Sequence, residues 1–308
     1  MHKDTIRRSI SLFLTIAFAF GLIISVSPAT VEAAVKYNKT DVAVINNIIA
    51  KNGLKGYKKD KPATWDFAKW KSGRVVSLNL SSRNLKGALN VSKLVNLTEL
   101  YCVNNKLTSI NVSTNKKLKI LYCGVNRLTK LTVTNNTALT VLSCYSNRLT
   151  SLNVSKNVNL KSLECDSNKL TSLNVSKNIR LEVLFCGFNK LKALNLKGLK
   201  KLHFIDLRQN SIKTLMVANG DTLKIANSVG GTVTIDGFSM NESGRVALTI
   251  VKADKGYKFD HYESDKPLEF VPFDEEEGEG EEPATPTVEH MFTVPKGGVT
   301  ITPVFVKK

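Results

Sequence analysis

Five cysteines recur every 21 residues, and this spacing makes them the first candidates for chemistry in the chain of 308 residues. They are Cys102, Cys123, Cys144, Cys165 and Cys186. A metal site needs convergent ligands, and no histidine recurs beside these positions. On stacked strands the Cβ atoms of neighbouring cysteines would be about one strand spacing apart, which is wider than the roughly 3.8 Å between the Cβ atoms of a disulfide. Since the count is odd, at least one thiol is unpaired within the monomer. We expect a ladder of buried free thiols, with disulfides as the alternative.

A catalytic site is harder to find. His203, His261 and His290 lie in unrelated contexts, and no catalytic triad order, metal-ligand spacing or phosphate loop stands out. Glu164 and Asp166 are near enough to suggest a glycosidase pair, but they would share one shallow strand face, with no closed cleft to raise either pKa. The sequence therefore predicts a protein that is not an enzyme and that needs no metal or cofactor.

The cysteines belong to a unit that is written six times between residues 97 and 217. Each copy opens on a leucine, and the first five read L-x-x-L-x-C-x-x-N-x-L. In the last copy Leu207 replaces the cysteine, and isoleucine stands at two of the leucine positions. Such a period and spacing are the signature of a leucine-rich repeat, whose units bury their apolar side chains only by stacking. The prediction is an α/β repeat solenoid, a right-handed horseshoe whose concave face is built of parallel β-strands.

Every copy ends its predicted strand with an asparagine. These residues are Asn105, Asn126, Asn147, Asn168, Asn189 and Asn210. A short amide can satisfy backbone groups that a buried bend would otherwise leave unpaired, so we interpret the ladder as structural.

Segments with other compositions flank the repeats, which occupy residues 74–217. Residues 34–73 predict an N-terminal cap, in which Asp41 could N-cap a helix from Val42 to about Asn52 that covers the end of the core. Residues 218–308 show short alternating runs between glycine turns, which predict a small all-β module.

Two further segments of the chain stand out by their composition, one apolar and one acidic. Residues 1–33 combine a positive start, an apolar run and a small-residue cleavage site, which predicts a signal peptide; an uncleaved anchor is the alternative. We expect no membrane span after cleavage. The acidic run 274–282 repels itself and predicts a disordered loop.

The net charge of +18 is unevenly spread. Residues 74–217 alone carry +18, whereas residues 218–308 carry −7. A basic body favours anionic partners such as wall polymers or acidic glycans. Nucleic acid is not expected, because the signal peptide predicts export.

The repeat and the final segment each resemble a known kind of bacterial protein. The unit L-x-x-L-x-C-x-x-N-x-L-T-x-L-N-V-S resembles the cysteine-ladder branch of the internalin-like surface proteins of Gram-positive bacteria. That resemblance implies a secreted or wall-attached interaction protein that uses its concave face to bind host or surface ligands. The runs G-G-T-V-T-I and F-T-V-P-K-G-G-V-T-I resemble the divergent B-repeat of bacterial surface proteins, with Tyr262 where a tryptophan is common. Such modules typically act as spacers.

Strand residues between the buried positions should face the concave surface. They include Tyr101, Tyr122, Tyr145, Glu164, Asp166, Phe185, Phe188, Phe204, Asp206 and Arg208. Four of the five acids in residues 74–217 fall here, Glu99 included, while the lysines lie elsewhere. Exposed aromatic residues are natural binding anchors, although tyrosine and phenylalanine also favour strands for their own sake.

A basic column follows the asparagine ladder. Its members are Lys106, Arg127, Arg148, Lys169 and Lys190. Their stacking could match an anionic polymer, or it could be a solubilising ridge that prevents edge association.

The sequence thus predicts an extracellular interaction protein, secreted or loosely wall-associated, that binds a protein or glycan through the concave face. The alternative is a wall-associated structural protein held to anionic wall polymers by the basic column. The oligomeric state stays open.

Overall fold

The structure is a computed structural model. It describes residues 37–217, 220–229, 231–241, 244–271 and 287–308. The predicted signal peptide (1–33) and the predicted acidic loop (274–282) lie outside these ranges.

One helix, α1 (Lys39–Asn52), and a short 3-10 turn (Pro62–Thr64) precede a long series of strands. The first twelve strands are β1 (Ala68–Lys71), β2 (Arg74–Asn79), β3 (Lys86–Asn90), β4 (Glu99–Tyr101), β5 (Lys106–Asn111), β6 (Ile120–Tyr122), β7 (Val141–Ser143), β8 (Ser162–Glu164), β9 (Val183–Phe185), β10 (Ala193–Asn195), β11 (Phe204–Asp206) and β12 (Thr214–Met216). The remaining strands are β13 (Thr222–Ile225), β14 (Gly231–Asn241), β15 (Gly244–Ala253), β16 (Tyr257–Ser264), β17 (Glu269–Val271), β18 (Thr287–Thr293) and β19 (Val299–Lys307).

Parallel pairing of successive copies builds the wall of the solenoid. The strands β2, β4, β6, β7, β8, β9 and β11 are consecutive neighbours in one sheet. Leu100 pairs with Leu121, which pairs with Leu142, so each residue lies beside its counterpart one copy later. The predicted repeat solenoid with a parallel sheet is confirmed.

The core lies behind this sheet. In β4, β6, β7, β8 and β9 the central leucine is fully buried, as are the cysteine two residues later and the leucine that opens the copy. Burial of one such aliphatic side chain stabilises the fold by roughly 1.5–3 kcal/mol. The strand residues on either side of the central leucine, such as Glu99 and Tyr101, point away from the core and are half-buried.

The predicted asparagine ladder is buried and fully used. The side-chain amide of Asn126 donates to the carbonyl oxygens of Cys102 (2.9 Å), Cys123 (3.2 Å) and Gly124 (3.0 Å). Its Oδ1 accepts from the backbone N–H of Leu107 at 3.0 Å. One side chain therefore joins two copies of the repeat and closes the bend after the strand, which confirms the structural interpretation.

A second buried asparagine ladder was missed in the sequence analysis. It consists of Asn115, Asn136, Asn157 and Asn178, all fully buried. The amide of Asn136 donates to the carbonyl oxygens of Val112 (2.9 Å) and Asn115 (3.0 Å) in the preceding copy. The signal was present, because these asparagines also recur every 21 residues.

The N-terminal cap contains a helix, but the predicted start of that helix is wrong. The N-cap is Asn38, whose side chain accepts from the backbone N–H groups of Thr40 (3.1 Å) and Asp41 (3.2 Å). Asp41 lies in the first turn and is turned inward toward Arg74. Gly53 ends the helix in the left-handed conformation.

Asp41 joins the cap to the solenoid. Its carboxylate is fully buried and accepts from Arg74 Nη2 (2.9 Å), Arg74 Nε (3.0 Å) and the backbone N–H of Val75 (2.9 Å). Trp65 is buried in the cap, and its indole N–H donates to the carbonyl oxygen of Lys58 at 2.9 Å.

The predicted all-β character of the last segment is also seen, but both of its sheets continue the solenoid. β14 pairs with β11, and β15, β18 and β17 extend the same sheet, which has twelve strands among the described residues. β13 pairs antiparallel with β12 and parallel with β19, which in turn pairs with β16. The predicted boundary between residues 217 and 218 therefore falls between two paired strands.

Aromatic side chains fill the space between these two sheets. Tyr262 on β16 packs against Phe292 and His290 on β18, with ring centroids 6.4 Å and 5.3 Å away. Its hydroxyl lies 3.1 Å from Thr249 Oγ1 and 3.3 Å from His290 Nδ1. The resemblance of this part to the B-repeat stays a prediction. In the described part of the chain, no helix has the length and apolarity needed to cross a membrane.

Candidate ligand-binding face

The outward side chains of β4, β6, β7, β8, β9 and β11, together with the residue two positions after each strand, form one continuous surface, here called the strand face. Nine of the ten predicted binding residues belong to it by the alternation of the strands. Phe188 is the tenth and follows the alternating residues directly. The structure therefore brings all the predicted residues of this face together.

Two pairs of aromatic rings lie toward opposite ends of the strand face. The rings of Tyr101 and Tyr122 stack with centroids 5.5 Å apart and planes 11° from parallel. Phe185 and Phe204 are 4.9 Å apart. Side chains in register on parallel strands are about 4.8 Å apart, so the pairing follows from the solenoid itself.

Tyr145 lies across the backbone of the preceding copy, over Gly124. A Cβ atom added at Gly124 would be 2.3 Å from Tyr145 Cε1, so any larger residue would displace the ring. Gly124 was not singled out in the sequence, although four of the other five copies carry a side chain at this position.

Glu164 and Asp166 occupy the middle of the strand face. Glu164 accepts a hydrogen bond of 2.7 Å from Ser143 Oγ, and Ser167 Oγ donates to Asp166 at 3.3 Å. Burial raises the pKa of Glu164, and the Ser143 hydrogen bond opposes this. Burial, helped by the charges of Glu164 and Asp206, raises the pKa of Asp166 to about 6. The sequence predicts no closed cleft that would raise a pKa here, and burial among neighbouring side chains raises both pKa values instead.

The tyrosines beside these carboxylates are neutral hydrogen-bond donors. Burial, followed by the charge of Glu99, raises the pKa of Tyr101 to about 12. Burial and the charge of Glu164 raise the pKa values of Tyr122 and Tyr145. Each ring therefore offers apolar area and an uncharged hydroxyl at neutral pH.

Arg208 is the cation of the strand face, and it forms an ion pair with Asp206, two residues earlier. Its Nε and Nη2 donate to Asp206 Oδ1 (3.0 Å) and Oδ2 (2.8 Å), and its guanidinium lies 6.0 Å from the ring centre of Phe188. The hydrogen bonds to Asp206 raise the pKa of Arg208.

A column of residues with positive φ borders the strand face. It consists of Asn104, Val125, Ser146, Ser167, Phe188 and Gln209, with φ between 49° and 55°. Asparagine tolerates this left-handed conformation, but it strains a β-branched valine and a bulky phenylalanine. Val125 and Phe188 are also 38% and 49% exposed, so packing does not require either side chain. Val125 is a candidate binding residue that the sequence analysis missed.

The predicted basic column lies beside the turn that follows each strand. Lys106, Arg127, Arg148, Lys169 and Lys190 are all exposed. None of them forms an ion pair with another residue in the described ranges. In the described residues the five basic side chains follow one another from copy to copy. Their role in binding an anionic polymer stays a prediction.

The thiol ladder is confirmed as five free, fully buried cysteines. Burial raises the pKa of Cys102 to about 12, and it raises the pKa values of the other four thiols as well. Among the described residues, no three histidine, cysteine or acidic side chains converge as a metal site would require.

We expect none of the thiols of the native protein to react with Ellman's reagent near neutral pH. Reactivity needs an accessible thiolate, and these thiols are neither ionised nor exposed. After denaturation in guanidinium, all five cysteines of the sequence should react. A smaller number in the denatured protein would reveal disulfides, and rapid reaction of the native protein would contradict the buried ladder.

The parallel strands, the 21-residue period and the two asparagine ladders define a leucine-rich repeat solenoid with a cysteine ladder. A scan against protein-family models finds no match, and a search of curated proteins finds none either. Solved structures do match. A leucine-rich repeat protein of Leptospira interrogans is 28% identical, with a TM-score of 0.39, over 41% of this chain and 34% of that one.

Two internalins of Listeria monocytogenes are also similar. The functional domain of InlJ, which includes a cysteine ladder, is 26% identical with a TM-score of 0.32, over 47% of this chain and 42% of that one. InlF is 25% identical with a TM-score of 0.38, over 44% of each chain. This chain thus spans less than half the length of these three structures.

Proposed function

We propose that this protein is an exported interaction protein that binds a macromolecular ligand, a protein in the first instance, through the strand face. The observation that carries the proposal is the pair of strained and exposed apolar residues, Val125 and Phe188. Strain of this kind costs on the order of 1 kcal/mol per residue, persists where the surrounding structure enforces it, and is commonest at binding and active sites. Both residues border a surface of tyrosine and phenylalanine, the residue types that dominate binding energy at protein interfaces.

The rigidity of the surface supports the same conclusion. Each strand is held on both sides by its neighbours, and asparagines lock the turns that follow. Binding residues on such a scaffold lose little conformational entropy when a ligand arrives.

Replacing Val125 and Phe188 together by glycine tests the proposal. Glycine adopts positive φ freely, so the variant should be at least as stable as the parent, while it loses two exposed anchors. On an array of purified extracellular proteins and glycans, we expect the ligand that the parent captures to bind the variant at least about tenfold more weakly.

The matched control replaces Ser146 and Gln209 by glycine, because they occupy the same column of the repeat with nearly the same φ. This control should bind as the parent does. If the Val125 and Phe188 variant keeps full binding to every captured ligand, the strand face is not the binding surface.

The exposed basic column supports a second candidate, attachment to an anionic wall polymer. Charge reversal at Arg127 and Arg148, measured on immobilised teichoic acid, distinguishes the two functions. Polymer binding through exposed charges should be lost in that variant and at high ionic strength. Ligand capture by the strand face should survive the charge reversal and be less sensitive to salt.

A further inference from the structure

The strand face has the opposite charge to the body that carries it. Residues 74–217 have a net charge of +18, yet four of their five acids, Glu99, Glu164, Asp166 and Asp206, lie on this face. No lysine occupies a strand-face position, and Arg208 is the one cation among them. Lysines and arginines are numerous on the other surfaces. The strand face therefore has a locally negative potential, which the net charge of the solenoid does not reveal.

The acids of the strand face differ in how they are satisfied. Asp206 has a bidentate partner in Arg208, and Glu99 accepts a hydrogen bond of 2.9 Å from Ser77 Oγ. Glu164 and Asp166, in contrast, are contacted by serine hydroxyls and form no ion pair with a described residue. A partly desolvated carboxylate without a cation is a cost to the fold that a cationic ligand would remove.

Aromatic rings stand on both sides of these two carboxylates. On one side Tyr122 pairs with Ser143, which is the direct neighbour of Glu164. The charge of Glu164 helps to raise the pKa values of Tyr122 and Tyr145. On the other side Phe185 is the direct neighbour of Glu164 in the parallel register. Aromatic rings around a carboxylate suit an ammonium or guanidinium group, because the ring faces attract the cation and shield the pair from water.

We propose that the strand face binds an extended peptide segment that bears lysine or arginine, with one cationic side chain placed over Glu164 and Asp166 and its aliphatic stem against the neighbouring rings. This inference rests on the proposed function and specifies the chemistry of the ligand. The peptide need not bury a large area, because the carboxylates and rings are held in place by the solenoid before it arrives.

The affinity should depend on pH. Asp166 is faced by Glu164 and Asp206, with Tyr145 and Arg208 nearby, and its pKa of about 6 lies close to neutrality. Below that pH Asp166 takes up a proton and loses its attraction for a cation. Binding should therefore be strongest near neutral pH and weaken as the pH falls toward 5, while lysine and arginine stay charged throughout.

The test uses an end-blocked octapeptide of alternating lysine and threonine, with glutamine–threonine and glutamate–threonine octapeptides as comparisons. Binding to the purified full chain is followed by fluorescence anisotropy of a labelled peptide. We expect saturable binding of the lysine peptide only. The double variant Glu164→Gln and Asp166→Asn should weaken it at least about tenfold and remove its pH dependence.

The matched control is Glu182→Gln, which removes a carboxylate from the same solenoid but outside the strand face, where it pairs with Lys161 at 3.2 Å. This variant should bind as the parent does. The inference fails if the lysine peptide shows no saturable binding, if the glutamine peptide binds equally well, or if the double variant keeps its affinity. If it fails while the Val125 and Phe188 variant still loses its captured ligand, the strand face remains the binding surface and only the cationic nature of its ligand is wrong.

Discussion

Replacing Asn147 by alanine should lower the free energy of unfolding by roughly 3–5 kcal/mol. Its amide donates to the carbonyl oxygens of Cys123 (3.0 Å), Cys144 (3.1 Å) and Tyr145 (3.2 Å), and its Oδ1 accepts from the backbone N–H of Leu128 at 2.9 Å. Alanine would leave these backbone groups in a buried bend without partners. Each unsatisfied buried group costs about 1–3 kcal/mol, and the total is less than the sum because the bend can relax.

Equilibrium unfolding in urea, followed by circular dichroism, measures this loss. Asn135→Ala is the matched control, since that asparagine is exposed and makes one side-chain hydrogen bond, to the carbonyl oxygen of Ser113 at 3.0 Å. Its stability should stay within about 0.5 kcal/mol of the parent. Equal effects of the two substitutions would show that the buried ladder does not stabilise the solenoid in the way described.

The repeat made most of the solenoid predictable. A period of 21 residues places every leucine, cysteine and asparagine beside its counterpart, so one copy determines the surroundings of the next. The buried thiols and the residues of the strand face follow from strand alternation alone. The second asparagine ladder, which includes Asn136, was equally regular. Its members lie outside the strands, so no strand pattern predicted their burial.

Features that depend on contacts between different parts of the chain could not be predicted in the same way. Asp41 has the local pattern of an N-cap, yet it is drawn inward by Arg74, which is 33 residues later in the chain. Asn38 then takes the capping role. Likewise, no local pattern shows that β14 will pair with β11 and carry the solenoid sheet into the last segment.

The raised pKa values on the strand face have the same origin. Alternation places Glu164 and Asp166 on one surface, but their burial depends on side chains of neighbouring copies, among them Ser143, which donates to Glu164. Such packing is set by several copies at once. The sequence therefore indicated which residues share the candidate site, whereas the structure was needed to show that their chemistry differs from that of exposed carboxylates.

Replacing Asp41 by alanine should cost roughly 3–5 kcal/mol of stability, because it leaves the guanidinium of Arg74 without its partner at the junction of cap and solenoid. The same carboxylate also accepts from the backbone N–H of Val75, so the variant loses the anchor of β2 as well. Urea unfolding measures the loss, and hydrogen exchange of the amides of β1 and β2 locates it.

Asp66→Ala is the matched control for this substitution. Asp66 also pairs with an arginine of the first repeat, Arg83, but at 3.7 Å and with 77% of its side chain exposed. Exposed pairs of this kind contribute about 0–1 kcal/mol, so this variant should stay close to the parent. If both variants lose little stability and the amides of β2 remain protected, the cap is held by its apolar contacts alone. If only Asp41→Ala exposes β2, the buried ion pair is the connection through which the cap protects the open end of the solenoid core.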